Sequence, residues 1–300
     1  MPTMTSPLLS VDELAAWLEE PVPPVVVDLR WYLGRPGDGH RAYVDGHLPT
    51  AIFLDLDDDL ADMAGYGAPG RHPLPTPAAF EVRMAAAGIA DGARVVGYDD
   101  VGGWVAARMW WMLDNLGFGR RGVTGEWAGV LNGGIGAWTA AGQALDLGDV
   151  SLPSAAGRLH LADAWHGVID RETLKSRLGT LTLLDARGAP RYRGEVEPVD
   201  PVAGHIPTAI SAPIDGNLAP SGTLKSVDEL TARYGELGIV AGRPGEVVIS
   251  CGSGTSAAHH SLAMRAAGLP DPTLYVGSYS DWSRSGEPIA TGPEPGDPPR

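Results

Sequence analysis

Val247-Val248-Ile249-Ser250-Cys251-Gly252-Ser253-Gly254-Thr255-Ser256-Ala257 runs directly into Ala258-His259-His260-Ser261-Leu262-Ala263-Met264. A short β-branched run of this kind reads as a buried strand. The glycine-rich turn and the apolar segment after it read as a loop opening a helix. Strand, tight loop and helix form the repeating unit of a parallel α/β sheet. The loop begins on the single cysteine of the 300-residue chain. Main-chain N–H groups of such a turn, with the positive end of the following helix, can converge on one atom and favour negative charge there. That setting favours the thiolate, the nucleophilic form of the side chain. Gly252 and Gly254 let the backbone curl around the sulfur without a Cβ in the way. By residue type alone a lone cysteine is more often a small buried hydrophobe. A packing cysteine, however, has no use for Gly-Ser-Gly-Thr-Ser ahead of a helix, so Cys251 is a candidate nucleophile.

The landmarks around this stretch occur twice in one order. Val26-Val27-Asp28-Leu29-Arg30 is echoed by Leu183-Leu184-Asp185-Ala186-Arg187. Gly46-His47-Leu48-Pro49-Thr50-Ala51-Ile52 is echoed by Gly204-His205-Ile206-Pro207-Thr208-Ala209-Ile210. Val95 to Asp99 falls where Val247 to Cys251 falls, and Leu131 to Trp138 matches Tyr275 to Trp282. Such a series marks a duplicated unit, and strands alternating with helical patterns make each copy α/β with a mainly parallel sheet. Ser10 followed by Glu13 marks the first helix start. The Ala/Gly/Ser/Asp-rich run Thr139–Gly157 places a linker at 141–160, between domains at 1–140 and 161–300, and the Pro/Gly-rich tail from Gly286 is expected to be irregular. Asp99 stands opposite Cys251. An aspartate cannot carry transferable sulfur, so only the second copy can hold a thiol site, and the first is expected to be non-catalytic and to wall a cleft.

Composition bounds the function. A net charge of −15 argues against nucleic acid and anionic membrane surfaces as partners. An anionic substrate must then be drawn by a local positive site. One cysteine excludes an internal disulfide and a cysteine zinc cluster, and no metal or cofactor is expected. Met1 to Pro7 shows no leader pattern and no run approaches a membrane span, so a cytoplasmic location is expected.

The paired Asp-x-Arg strands, the Gly-His-Leu/Ile-Pro motifs, the cysteine loop and the late tryptophans together resemble the tandem-domain rhodaneses over residues 8 to 290. That group comprises thiosulfate and 3-mercaptopyruvate sulfurtransferases. The resemblance implies two tandem rhodanese-like α/β domains and chemistry through a Cys251 persulfide. It also implies that a small-molecule sulfur donor, 3-mercaptopyruvate or thiosulfate, loads the cysteine and that cyanide, a small thiol or a thioredoxin-like protein unloads it. The loop carries no charge after the cysteine, which is similar to the mercaptopyruvate type; thiosulfate enzymes usually carry Arg and Lys there. In the mercaptopyruvate type a serine acts with a histidine and an aspartate, here Ser253, His72 and Asp55. Gly252, Gly254, Thr255 and Ser256 complete the loop, Thr255-Ser256 replacing the usual Val-Thr. The resemblance assigns the donor carboxylate to Arg191. A second arginine usually follows a Glu-Pro, but Glu197-Pro198 is followed by Val199, which leaves Arg193 as the candidate substitute.

The accessory residues have structural readings too. Arg30 and Arg187 suit structural ion pairs with nearby carboxylates better than substrate binding, and Asp28 and Asp185 suit a role in the fold. His47 and His205 recur in both copies, which favours a role in the fold. His259 and His260 are expected to face the helix surface and the sheet, and His72 could be an exposed loop residue. A cysteine phosphatase needs an arginine six positions after the cysteine, where this chain has Ala257. A thiosulfate sulfurtransferase and a non-enzymatic rhodanese-like module that binds partners or senses oxidants are the other readings.

Overall fold

The computed structural model describes residues 6–65, 70–120, 122–150, 158–240 and 246–299. Part of the expected linker, 151–157, lies outside them. The chain divides into two compact units: Met1–Ala61, Pro75–His166 and Ala219–Leu224 in the first, and Asp62–Leu74, Gly167–Leu218 and Lys225–Arg300 in the second. Each copy of the repeat thus lends a short segment to the other unit.

In unit 1 the elements are β1 (Leu8–Leu9), α1 (Val11–Leu18), β2 (Val25–Asp28), α2 (Asp38–Asp45), β3 (Ile52–Phe53), α3 (Pro77–Ala86), β4 (Arg94–Tyr98), α4 (Trp104–Asn115), β5 (Trp127–Leu131) and α5 (Gly134–Ala140). The strands lie in the order β1-β5-β4-β2-β3 and pair in parallel. Unit 2 repeats the plan with β6 (Val168–Ile169), α6 (Arg171–Arg177), β7 (Thr182–Asp185), α7 (Ala189–Tyr192), β8 (Ile210–Ser211), α8 (Val227–Glu236), β9 (Val247–Ser250), α9 (Ala258–Ala266), β10 (Thr273–Tyr275) and α10 (Ser278–Trp282). Its parallel order is β6-β10-β9-β7-β8. Asp28 pairs with Phe53 as Asp185 pairs with Ser211, so the copies share register.

Local chemistry explains the elements. Ser10 and Glu13 close a capping box on α1, and Ser226 and Glu229 close one on α8. β2, β7 and β9 are short apolar runs covered on both faces, as a parallel sheet between helix layers requires. The cores follow: Leu14, Val26, Val96, Tyr98, Leu131 and Trp138 pack in unit 1, and Leu174, Leu183, Val248, Tyr275, Tyr279 and Trp282 in unit 2.

The recurring motifs have structural work. Arg30 Nη2 donates to Asp28 Oδ2 at 2.6 Å and to the Gly46 carbonyl at 2.7 Å. Arg187 does the same with Asp185 and the Gly204 carbonyl, at 2.6 and 2.7 Å. The arginine therefore ties each Asp-x-Arg strand to its Gly-His turn. His47 stacks on Tyr43 at 4.2 Å and His205 on Tyr192 at 3.8 Å, both histidines fully buried. The tail 286–299 contains no helix or strand segment but bridges to His205 through Ala290. No helix among the described residues is long and apolar enough to cross a membrane.

The loop after β4 shows what this fold does with an anion. The buried Asp99 carboxylate accepts N–H bonds from Val101 (2.9 Å), Gly103 (2.7 Å), Val105 (2.9 Å) and Ala106 (3.2 Å). Burial pushes its carboxyl up even though these four donors pull it down. Asp99→Ala would leave the donors facing nothing. The expected loss is about 3–5 kcal/mol of unit 1 stability, read as a lower urea midpoint, with Asp99→Asn losing less.

Candidate active site

β9 ends at Ser250, and Cys251 opens the corresponding loop in unit 2. The residue is only 1% exposed. Its sulfur accepts the Gly254 N–H at 3.1 Å, the contact expected of a backbone cradle. Gly254 sits at φ +81°, and a Cβ there would lie 2.3 Å from the Val276 carbonyl oxygen, so glycine is required. The first amides of α9 are turned to other acceptors: those of Ala258, His259 and His260 donate to the carbonyls of Thr255, Ser256 and Ala257. The donor seen at the sulfur therefore comes from the loop itself.

α10 clamps the loop from the side. Tyr279 N–H donates to the Cys251 carbonyl at 2.9 Å, and Ser280 N–H to that of Gly252 at 2.8 Å. Cys251 N–H donates to Ser278 Oγ at 3.1 Å. Ser278 holds φ +50°, in the left-handed region that is costly for a serine, and that strain is part of the clamp.

The segment 62–74 brings two side chains from the first half of the sequence into unit 2. His72 is 6% exposed, and its Nδ1 lies 2.7 Å from Ser253 Oγ and 3.5 Å from Thr255 Oγ1. His72 is therefore a buried partner of the loop, not an exposed loop residue. Next to it, Arg71 is equally buried and is fixed by its own N–H donating to Ser280 Oγ at 3.0 Å. A Cβ on Gly252 would lie 2.9 Å from Arg71 Nη2, 3.5 Å from Arg191 Nη1 and 3.7 Å from Arg191 Nη2. Two guanidiniums thus lie over the residue after the cysteine, and the absence of a Cβ there lets Arg71 approach more closely than ordinary contact.

Carboxylates hold these arginines from behind. Arg191 Nη2 donates to Glu197 Oε1 at 2.6 Å and to Asp200 Oδ2 at 3.2 Å, and Arg71 Nη1 pairs with Asp200 Oδ1. Arg284 reaches the same Oδ1 at 3.1 Å, and Arg187 reaches Glu197 at 3.4 Å. Burial raises the Glu197 carboxyl, but the bonds from Arg191 and from the Asp200 and Val199 amides leave it below the ordinary glutamate range. Among the described residues, four guanidiniums (Arg71, Arg187, Arg191, Arg284) stand against three carboxylates (Asp185, Glu197, Asp200) in one connected network. The surplus is one positive charge, in a chain that is strongly acidic overall.

The structure thus brings Cys251, Gly252, Ser253, Gly254, Thr255, His72 and Arg191 together, with Ser256 in the same loop. Arg193 instead donates to Glu195 at 2.7 and 2.8 Å on the surface side of α7. The guanidinium beside Arg191 is that of Arg71. Asp55 belongs to unit 1, where its N–H donates to Asp59 Oδ2 at 2.8 Å and its carboxylate accepts the Asp57 N–H at 2.8 Å. Burial, helped by the charges of Asp57 and Asp58, pushes its carboxyl up. His259 and His260 are both fully buried, so the expectation that one faces the helix surface fails. His260 lies between Tyr234 OH and the Ala212 carbonyl, each at 2.8 Å, and burial pushes it down to about 3, so it is a neutral packing residue. No cluster of three or more His, Cys, Asp or Glu among the described residues could hold a metal ion.

A family model for the rhodanese-like domain matches residues 10–141 and 170–285. A probable 3-mercaptopyruvate sulfurtransferase of Pseudomonas aeruginosa is 44% identical over 289 residues, covering 95% of this chain and 98% of its own. A putative thiosulfate sulfurtransferase of Mycobacterium tuberculosis is 40% identical over 279 residues, covering 92% and 93%. The crystal structure of the Escherichia coli 3-mercaptopyruvate enzyme superposes with a TM-score of 0.74 at 30% identity, covering 91% of this chain and 99% of that one. Two domain matches in tandem, full-length relatives of one reaction class, and a duplicated parallel sheet with a cysteine cradle in its second copy lead to one assignment: the chain belongs to the rhodanese family of sulfurtransferases.

Proposed function

We propose that this sulfurtransferase takes sulfane sulfur from 3-mercaptopyruvate onto Cys251 and passes the resulting persulfide sulfur to a thiol or cyanide. The observation that carries the choice of donor is the pair of guanidiniums over Gly252, Arg71 and Arg191. A planar carboxylate is the anion that a fork of two guanidiniums fits best. A local surplus of one positive charge suits a monocarboxylate better than the thiosulfate dianion. The P. aeruginosa relative's name points the same way, and the M. tuberculosis relative's name points to thiosulfate.

With the carboxylate on Arg71 and Arg191, the donor's sulfur is directed at Cys251. The thiolate attacks that sulfur, an S–S bond forms, and the donor's C–S bond breaks. The electron pair goes to the enolate of pyruvate. The proton lost from the donor's sulfur returns to carbon, so the step is balanced with no outside acid. Ser253 and His72, in contact at 2.7 Å, form a hydroxyl–imidazole relay beside the loop that can hold or release that proton at the enolate oxygen. The Gly254 N–H, 3.1 Å from the sulfur, stabilises negative charge there before and after transfer. The resemblance adds Asp55 to Ser253 and His72, and we keep it as a proposed third member.

The test is the ratio of kcat/KM for 3-mercaptopyruvate to that for thiosulfate, each with cyanide as acceptor, in the native protein and in Ser253→Ala. The native protein should favour 3-mercaptopyruvate by at least about a hundredfold. Removing the hydroxyl should lower the 3-mercaptopyruvate value about 10²-fold with little effect on thiosulfate, which has no enolate to protonate. A native preference for thiosulfate would overturn the donor assignment.

A further inference from the structure

The arginines over Gly252 share a feature that the transfer chemistry does not use: a single buried carboxylate behind them. The Asp200 side chain is 0% exposed and takes three guanidiniums, those of Arg71, Arg191 and Arg284. Its backbone is fixed as well, its N–H donating to Glu197 Oε1 at 3.0 Å. Arg71 commits Nη1 to Asp200, while its buried Nε has no hydrogen-bond partner among the described residues and its Nη2 is the atom nearest Gly252. Arg191 commits Nε and Nη2 to Glu197 and Asp200, and its Nη1 faces Gly252. Arg71 thus turns towards the loop the terminal nitrogen that Asp200 does not take, and Arg191 lies against the loop with both terminal nitrogens, of which Nη1 is the one not bonded to Glu197 or Asp200. Two cations brought this close repel each other, and a carboxylate that binds one with each oxygen holds both in place. Arg284 shares Oδ1 with Arg71, and Arg71 gives Asp200 only its Nη1.

We propose that Asp200 is a positioning residue that sets donor selectivity: it turns Arg71 and Arg191 into one carboxylate-binding fork. This rests on the carboxylate-donor reading above, and it concerns how the fork is built. An asparagine at 200 has one acceptor oxygen, and its amide would push one arginine away. The fork would open, while the surplus positive charge would rise from one to two. A planar carboxylate should then be held less well, and a compact dianion no worse.

The experiment uses the full chain and reads equilibrium binding, which needs no turnover. Titrations of pyruvate and of sulfate, followed calorimetrically, are compared for the native protein, Asp200→Asn and Asp200→Glu. Asp200→Asn should weaken pyruvate at least about tenfold and leave sulfate unchanged or tighter. Asp200→Glu keeps the charge but moves the anchor by a methylene, and it too should weaken pyruvate with sulfate unchanged. It also serves if the asparagine variant does not fold. In steady state, the KM for 3-mercaptopyruvate should rise in either variant by a larger factor than kcat falls. Equal loss for both ligands, or native pyruvate binding in either folded variant, would overturn the positioning role. A native protein that binds pyruvate by way of Asp200 but transfers no sulfur from 3-mercaptopyruvate would instead remove the functional reading and leave the fork intact.

Discussion

Cys251→Ser protein is expected to transfer no measurable sulfur from 3-mercaptopyruvate or thiosulfate to cyanide, a loss of about 10⁴-fold or more. The substitution changes one atom, and residue 251 makes its other hydrogen bonds through its own main chain: its carbonyl accepts from Tyr279, its N–H donates to Ser278 Oγ, and the Gly254 N–H can donate to oxygen as it does to sulfur. The fold should therefore survive, with an unchanged urea midpoint. Chemistry fails because a serine hydroxyl is hardly ionised near neutral pH and cannot form the exchangeable S–S bond that carries the transferred atom. Measurable turnover in this variant would place the sulfur relay elsewhere, and the chain has no other cysteine to receive it.

The second large effect is at the arginines. Arg71→Ala or Arg191→Ala should raise the KM for 3-mercaptopyruvate about a hundredfold, which corresponds to about 3 kcal/mol for removing a charge-assisted hydrogen bond from a mostly buried site. The effect should fall mainly on KM, because the carboxylate is held in the ground state and the transition state alike. Arg71→Lys should recover only part of the affinity, since an ammonium cannot form the planar fork. Asp200 retains two guanidinium partners when Arg71 is removed, so no isolated buried charge is created and folding should persist. Arg193→Ala, by contrast, should leave the KM close to native because its guanidinium is occupied by Glu195. A KM unaffected by either Arg71→Ala or Arg191→Ala would show that the donor binds by another group.

The parts of this molecule that are legible in sequence are those governed by local pattern. Val25–Asp28 and Val247–Ser250 are β-branched runs and form strands, and Ser10 with Glu13 writes out a capping box. The duplication is legible because each recurring motif meets another within its own copy: Arg30 binds the Gly46 carbonyl and Arg187 that of Gly204. The cysteine loop is legible because close approach at Gly254 admits one residue type. Arg71, Asp200 and Arg284 do not stand out in the sequence as site residues. Arg71 and Asp200 are 129 positions apart, and no periodicity relates a loop arginine to an aspartate in another copy of the repeat. A signal is nevertheless present. Val199 leaves the expected second arginine missing, and Asp200 beside it puts an acid in the proposed carboxylate site, which requires compensating cations. Arg71, next to His72, is the nearest such cation to a residue that the family resemblance singles out. The burial of His259 and His260 is also hidden, because two adjacent histidines on a helix give no sign that Asn217 and Tyr234 will enclose them.

If Cys251 receives sulfur from a carboxylate-bearing donor, the transferred atom stays on the protein until an acceptor removes it. The most direct measurement is the intact mass of the native protein after brief exposure to 3-mercaptopyruvate without acceptor, followed by peptide mapping. The expected result is a gain of one sulfur atom on the peptide that contains Cys251, one pyruvate released per chain, and disappearance of the added mass on treatment with cyanide. Pyruvate release with Cys251 unmodified, or sulfur found only on another residue, would contradict it.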